Sequence, residues 1–273
     1  MKIDLISDVH LEFADLTLPG GDVLIIAGDL AEAKNIRKDL YKTPEFIAKY
    51  PEMLKTILVE NQRPDRRIDR YYRFIEEECA RKYNKTIYVE GNHEHYGFQL
   101  HKTYQHIKDQ LPANVHLLEN ETIDIEDVTF VGATLWTDMN KNDWHTIYHA
   151  KKSMNDYAQI TMLNEAKGAY HRLIPEQTVK MHDRSKDYIR AVLQNNPNRK
   201  HVLVTHHAPT KASLHPRYAN DVLMNGCYSS DLSELILDNP HILAWHHGHL
   251  RRGHGTVDLA ARFLVEFCTG TPL

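Results

Sequence analysis

Short apolar runs, each cut off by a polar turn, recur along the whole chain. Val23-Leu24-Ile25-Ile26-Ala27 is apolar without interruption, the pattern of a strand covered on both faces of a sheet. Similar runs predict strands at residues 3–7, 86–89, 115–118, 121–125, 128–131, 201–204 and 242–245, with the fourth and fifth joined through Glu126-Asp127. Between them the period changes. Ile68, Tyr71, Tyr72, Ile75, Cys79 and Tyr83 recur at helical spacing, with Glu76, Glu77, Arg81 and Lys82 on other faces. Residues 98–110 read as a helix stopped near Pro112, and residues 189–193 close another before Pro197. Two polar, helix-rich stretches, about 31–85 and 141–185, read as helical insertions, the first cut by Pro44, Pro51 and Pro64. Strands alternating with helices predict an α/β fold.

The candidate chemistry sits at the strand tips. The first strand leaves through Asp8-Val9-His10, the second through Gly28-Asp29, and the third through Gly91-Asn92-His93-Glu94. Later strands end in Thr205-His206-His207 and His246-His247-Gly248-His249. In an extended stretch residues two apart share a side, so Asp8 and His10 are expected to converge in that way. Any one tip alone reads equally as a polar turn. Five in order along an α/β chain point to one site at the carboxyl edge of a sheet, where open α/β folds bind ligands. Carboxylate, amide and imidazole together suit a divalent metal that accepts mixed oxygen and nitrogen ligands.

Length and charge narrow the classes. The 273 residues suit one domain spanning 1–273, and a net charge of −4 gives no basic nucleic-acid face, so a nucleic-acid partner is not indicated. Of the 19 histidines, those such as His101, His106, His116 and His149 read as solvated surface. Cys79, Cys227 and Cys268 are sparse and form no CxxC unit, which predicts a reducing compartment. The first residues are too charged and too short for a signal peptide, and no apolar run nears the ~20 residues of a membrane span. A soluble, cytoplasmic protein with no membrane partner is expected.

The tips in combination resemble the signature of the calcineurin-like metallophosphoesterases: D-x-H at Asp8 and His10, GD at Gly28 and Asp29, GNH[DE] at residues 91–94, a strand-end His206, and GH at Gly248 and His249. The stretches Met154-Asn155-Asp156-Tyr157 and Thr205-His206-His207-Ala208-Pro209 look like a bacterial and phage branch of that family. The resemblance implies a four-layer α/β/β/α sandwich with two divalent ions at the strand ends. It implies that Asp8 and His10 hold the first ion, Asp29 bridges both, and Asn92, His206 and His249 hold the second. His93 would stand beside the leaving group, and His207 would support the ligands from behind. Two ions ~4 Å apart can share a bridging water, lower its pKa and clamp the phosphoryl oxygens. A ligand set without thiolate favours manganese, iron, nickel or zinc. The implied activity is hydrolysis of phosphomonoesters or phosphodiesters, on a small molecule or a phosphoprotein.

The pattern breaks at one place. The motif should end in a second histidine two residues after His249, and position 251 is arginine, which cannot ligate a cation. That leaves occupancy of one ion site open, and makes a catalytically impaired metal- or ligand-binding protein the alternative reading. Residues 251–273 are also an atypical tail. A reading-frame change near Leu250 and natural loss of one ion are the two explanations.

Overall fold

The apolar run of strand β2 (Gly21–Ala27) divides its side chains between two cores. Val23, Ile25 and Ala27 point one way, while Leu24 and Ile26 point the other. Strand β3 (Tyr83–Val89) does the same, with Ile87 and Val89 on one face and Tyr88 opposite. This double burial removes the polar alternation that a half-exposed strand would show.

These strands lie in a computed structural model that describes residues 1–40, 48–49, 67–250, 255–258 and 264–267. The first sheet is wholly parallel, in the order β1 (Ile3–Ile6), β2, β3, β4 (Val115–Leu117). The second sheet is built on β6 (Val128–Ala133), β9 (Lys200–Thr205) and β10 (Ile242–His247), mutually parallel in that order. The hairpin partner β5 (Glu121–Ile125) closes one side, and β11 (Gly255–Asp258) and β12 (Leu264–Phe267) extend the other. The sheets face each other across Val23, Ile25, Ile87, Val89, Phe130, Val202 and Val204. Each such fully buried side chain contributes about 1.5–3 kcal/mol.

Helices cover both outer faces. Helix α1 (Arg67–Arg73) continues into a π-helical segment, Phe74–Ala80, and together with α2 (Leu100–Lys108) covers Leu24, Ile26 and Tyr88. Helix α5 (Pro175–Asn195) and α7 (Ser233–Leu237) cover Val131, Leu203 and Trp245. The molecule is therefore a four-layer α/β/β/α sandwich. Among the described residues no helix is long and apolar enough to cross a membrane.

Several elements differ from expectation. Tyr83, at helical spacing after Cys79, instead opens β3, because the π-helical segment ends at Ala80 and the chain turns into the sheet. Much of 31–85 lies outside the described residues. The stretch 141–185 is not uniformly helical. It holds α3 (Trp144–Ser153), α4 (Asp156–Gln159) and a hairpin of β7 (Thr161–Asn164) with β8 (Ala169–Arg172), and its last residues belong to α5. These pieces and α6 (Val222–Tyr228) share a small core of Tyr96, Trp136, Met139, Tyr157, Ile160, Leu173 and Cys227.

Candidate metal centre

Because β1, β2 and β3 are parallel, and β9 and β10 likewise, five chain exits fall on one edge of the sandwich. The backbone then turns sharply. Asp8 (φ +52°), His10 (φ +45°), Asp29 (φ +54°) and His249 (φ +63°) all adopt the left-handed region. Such a residue costs about 1–3 kcal/mol, and the cost is characteristic of functional sites. Asp8 and His10 thus leave the strand through left-handed turns and not in an extended stretch, and their ligand atoms fall in different groups, which corrects the expectation that they reach one point. Two glycines make room: a Cβ at Gly28, itself at φ +83°, would collide with His206, and one at Gly91 would collide with Asp29.

Every predicted ligand arrives at the same place. The ligand-type atoms of Asp8, Asp29, His206 and His249 lie within 4.8 Å of one another, and those of His10, Asp29 and His93 form a second such group. Asp29 belongs to both. Its Oδ1 lies 3.4 Å from His206 Nε2, and its Oδ2 lies 3.9 Å from His10 Nε2 and 4.0 Å from His93 Nε2. Asn92 Oδ1 and His249 Nδ1 each stand 3.0 Å from His206 Nε2. Asp8 groups with His206 and His249, not with His10, because its Oδ2 accepts the His249 backbone N–H at 3.0 Å and is tied to that tip.

The donor set fits a cation. His206 Nδ1 stands 2.8 Å from the Ala27 carbonyl and donates there, so Nε2 is the nitrogen left to ligate once it loses its proton. Nε2 faces an amide oxygen, a carboxylate and another imidazole, an arrangement that a positive ion displacing that proton satisfies. His10 Nδ1 and His249 Nε2 are buried without a hydrogen-bond partner.

A calcineurin-like phosphoesterase family model matches residues 1–251. The chain belongs to the calcineurin-like phosphoesterases. It is 30% identical over 260 residues to an uncharacterized protein of Acanthamoeba polyphaga mimivirus, covering 89% of this chain and 82% of that one. Among solved structures, phosphopantetheinyl hydrolase from Mycobacterium tuberculosis shares the fold, with TM-score 0.51 and 16% identity over 93% of this chain and 84% of that one.

The electrostatics of this phosphoesterase site are dominated by burial of opposed charges. Burial works to lower the His206 pKa, but the Asp29 and Asp8 carboxylates raise it to about 10. Burial works to raise Asp29, yet His206 holds it well below the usual carboxylate range. Asp8 is raised by burial despite His206. Burial, with His207 and His206 alongside, pushes His249 well below its ordinary value. His207 is driven down by burial too, and stacks on Trp136 behind the cluster, with its Nδ1 3.2 Å from the Thr134 carbonyl.

Three residues of the site carried no assigned role in the sequence. Glu94 is fully buried and accepts from the N–H groups of Asp29, Leu30 and Gly91 and from the Tyr88 hydroxyl, at 3.0, 2.7, 2.7 and 2.7 Å. Burial pushes its pKa up to about 7 despite those donors. Tyr96 stacks on His93 with ring centres 4.2 Å apart. Asp156 is buried beside Asn92. Glu94 was visible as the last letter of GNHE, and Asp156 within the Met154-Asn155-Asp156-Tyr157 stretch, but Asp29 and Leu30, which donate to Glu94, lie 65 and 64 positions from it, and Asn92 lies 64 from Asp156. Above the cluster opens a cleft of about 240 Å³, walled by Tyr96, Ser153, Met154, Asn155, Tyr228 and Leu250.

Proposed function

We propose that this calcineurin-like phosphoesterase hydrolyses phosphomonoesters or phosphodiesters with two divalent ions, of manganese, iron, nickel or zinc. The observation that supports this most directly is the division of labour within Asp29, whose two oxygens face two separate ligand groups. In this reading Asp8, Asn92, His206 and His249 would hold one ion, His10 would hold the other, and Asp29, which belongs to both ligand groups, would serve both. When bound, the ions supply Lewis acidity that neutralises phosphoryl charge and acidifies water. Asn92 presents its amide oxygen, and the left-handed turns at Asp8, His10 and Asp29 hold their side chains toward the cleft floor.

His93 is the proton donor to the leaving group. Its side chain is 34% exposed, facing the cleft while Tyr96 fixes its ring plane. No side-chain nucleophile is needed, since phosphoryl transfer rests on positioning and charge stabilisation. The small polar cleft suits a phosphate on a small molecule or on an exposed protein side chain. A reducing, cytoplasmic setting belongs to the same proposal and draws support from the free buried thiols of Cys79 and Cys227.

The test is metal content per chain by elemental analysis, with hydrolysis of p-nitrophenyl phosphate and its bis ester in added manganese. Two ions and turnover abolished by Asp29→Ala or Asn92→Ala support the proposal. Position 251 lies outside the described residues, and its arginine is the observation that favours the second reading, an impaired binding protein. One ion or none, without turnover, would establish that reading.

A further inference from the structure

The Asn92 amide has both of its N–H donors occupied on the side away from the cluster. Nδ2 donates to Asp156 Oδ1 at 2.6 Å and to the Tyr96 hydroxyl at 3.2 Å. Tyr96 in turn donates its O–H to the same carboxylate oxygen at 2.7 Å. An amide is nearly symmetric in shape, so an unanchored Asn92 has little steric reason to prefer its oxygen over its nitrogen toward His206. The energetic reason comes from Asp156. A carboxylate accepts and cannot donate, so only the orientation with Nδ2 toward it makes both contacts, and that orientation turns Oδ1 to within 3.0 Å of His206 Nε2.

Asp156 is only 2% exposed, and the Asn92 amide and the Tyr96 hydroxyl both donate to it. A carboxylate so buried is costly unless it is hydrogen-bonded, and here the partners are a candidate ligand and the tyrosine stacked on His93. It also comes from outside the sandwich: α4 follows directly on Ser153, Met154 and Asn155, which wall the cleft.

We propose that Asp156 is a positioning residue of the metal centre, which sets the Asn92 amide with its oxygen toward the cation and, through Tyr96, holds the His93 ring in place. The inference rests on the proposed two-ion function. It ties the cleft wall to the metal floor, so that one carboxylate delivered by α4 orients a ligand on β3's exit and the histidine beside it.

The experiment is a double-mutant cycle in manganese affinity, measured by calorimetry on the full chain after metal removal. Asp156→Ala is expected to weaken manganese binding about 10–100-fold, the usual effect of removing a group that orients a ligand. Asp156→Asn keeps an acceptor oxygen and is expected to fall between Asp156→Ala and the parent. Added to Asn92→Ala, Asp156→Ala should change affinity less than about twofold, because its effect passes through the amide already removed. Losses that multiply in the double variant, or parent-like affinity in a folded Asp156→Ala, would overturn the inference. Should Asp156→Ala fail to fold, Asp156→Asn takes its place in the cycle with the same two outcomes. No substrate enters this measurement, so its failure leaves hydrolysis by the parent untouched, whereas a parent that binds no cation overturns both proposals.

Discussion

The Glu94 carboxylate accepts the backbone N–H of Asp29 at 3.0 Å, although the two residues come from different strand exits. With Leu30, Gly91 and Tyr88 also donating to it, Glu94 holds the turn that aims the Asp29 carboxylate. Glu94→Gln puts an amide N–H₂ against backbone donors and leaves buried groups unpaired. A loss of about 2–4 kcal/mol in denaturant unfolding is expected, from unsatisfied buried donors. Parent-like stability would show that the four contacts are dispensable.

Asp29→Asn removes the charge between the two ligand groups while keeping the shape. The loss in kcat/KM is expected to be at least ~10²-fold, corresponding to about 2.7 kcal/mol of lost transition-state stabilisation. Manganese stoichiometry should fall in the same variant, and retention of two ions would argue against the bridge.

His93→Ala separates proton donation from binding. For an alkyl phosphate, a poor leaving group, kcat should fall ~10²–10⁴-fold, the range of general acid catalysis. For p-nitrophenyl phosphate, whose leaving group needs little protonation, the fall should be far smaller. Equal losses on both substrates would remove His93 from that role.

In protein stripped of metal, His206 is held protonated up to about 10 by Asp29 and Asp8 against the pull of burial. A folded pKa above the unfolded value of about 6.5 gives stability that is complete below that pH and is lost as pH rises through about 10. The melting temperature of the stripped protein should therefore decline across that window. A cation must displace the same proton, so manganese affinity should rise about tenfold per pH unit within it. A melting temperature that climbs from neutral to alkaline pH would contradict this arrangement.

Gly28→Ala tests the close approach of β2's exit to His206. At φ +83° an alanine is strained, and its Cβ meets the imidazole ring. A destabilisation of about 1–3 kcal/mol, read by unfolding, is expected together with weaker metal binding. A neutral result would mean that the ring can retreat.

The α/β alternation, the buried strands and all seven candidate residues from Asp8 to His249 are legible in the chain by itself. The reason is that they are local: an apolar run covered on both faces needs no alternation, and a ligand at a strand tip stands directly after the run. What only the tertiary structure decided is non-local. Asp8 joins His206 and His249 because the His249 backbone N–H reaches it across 241 positions. Asp156 meets Asn92, and Glu94 meets Asp29, across 64 and 65 positions. The left-handed turns at Asp8, His10, Asp29 and His249 are held by such contacts against the ordinary preference of those residues, so no neighbouring letter announces them. The hairpin of β7 and β8 was hidden likewise, its side chains partly or fully exposed and without the apolar run that marks a buried strand.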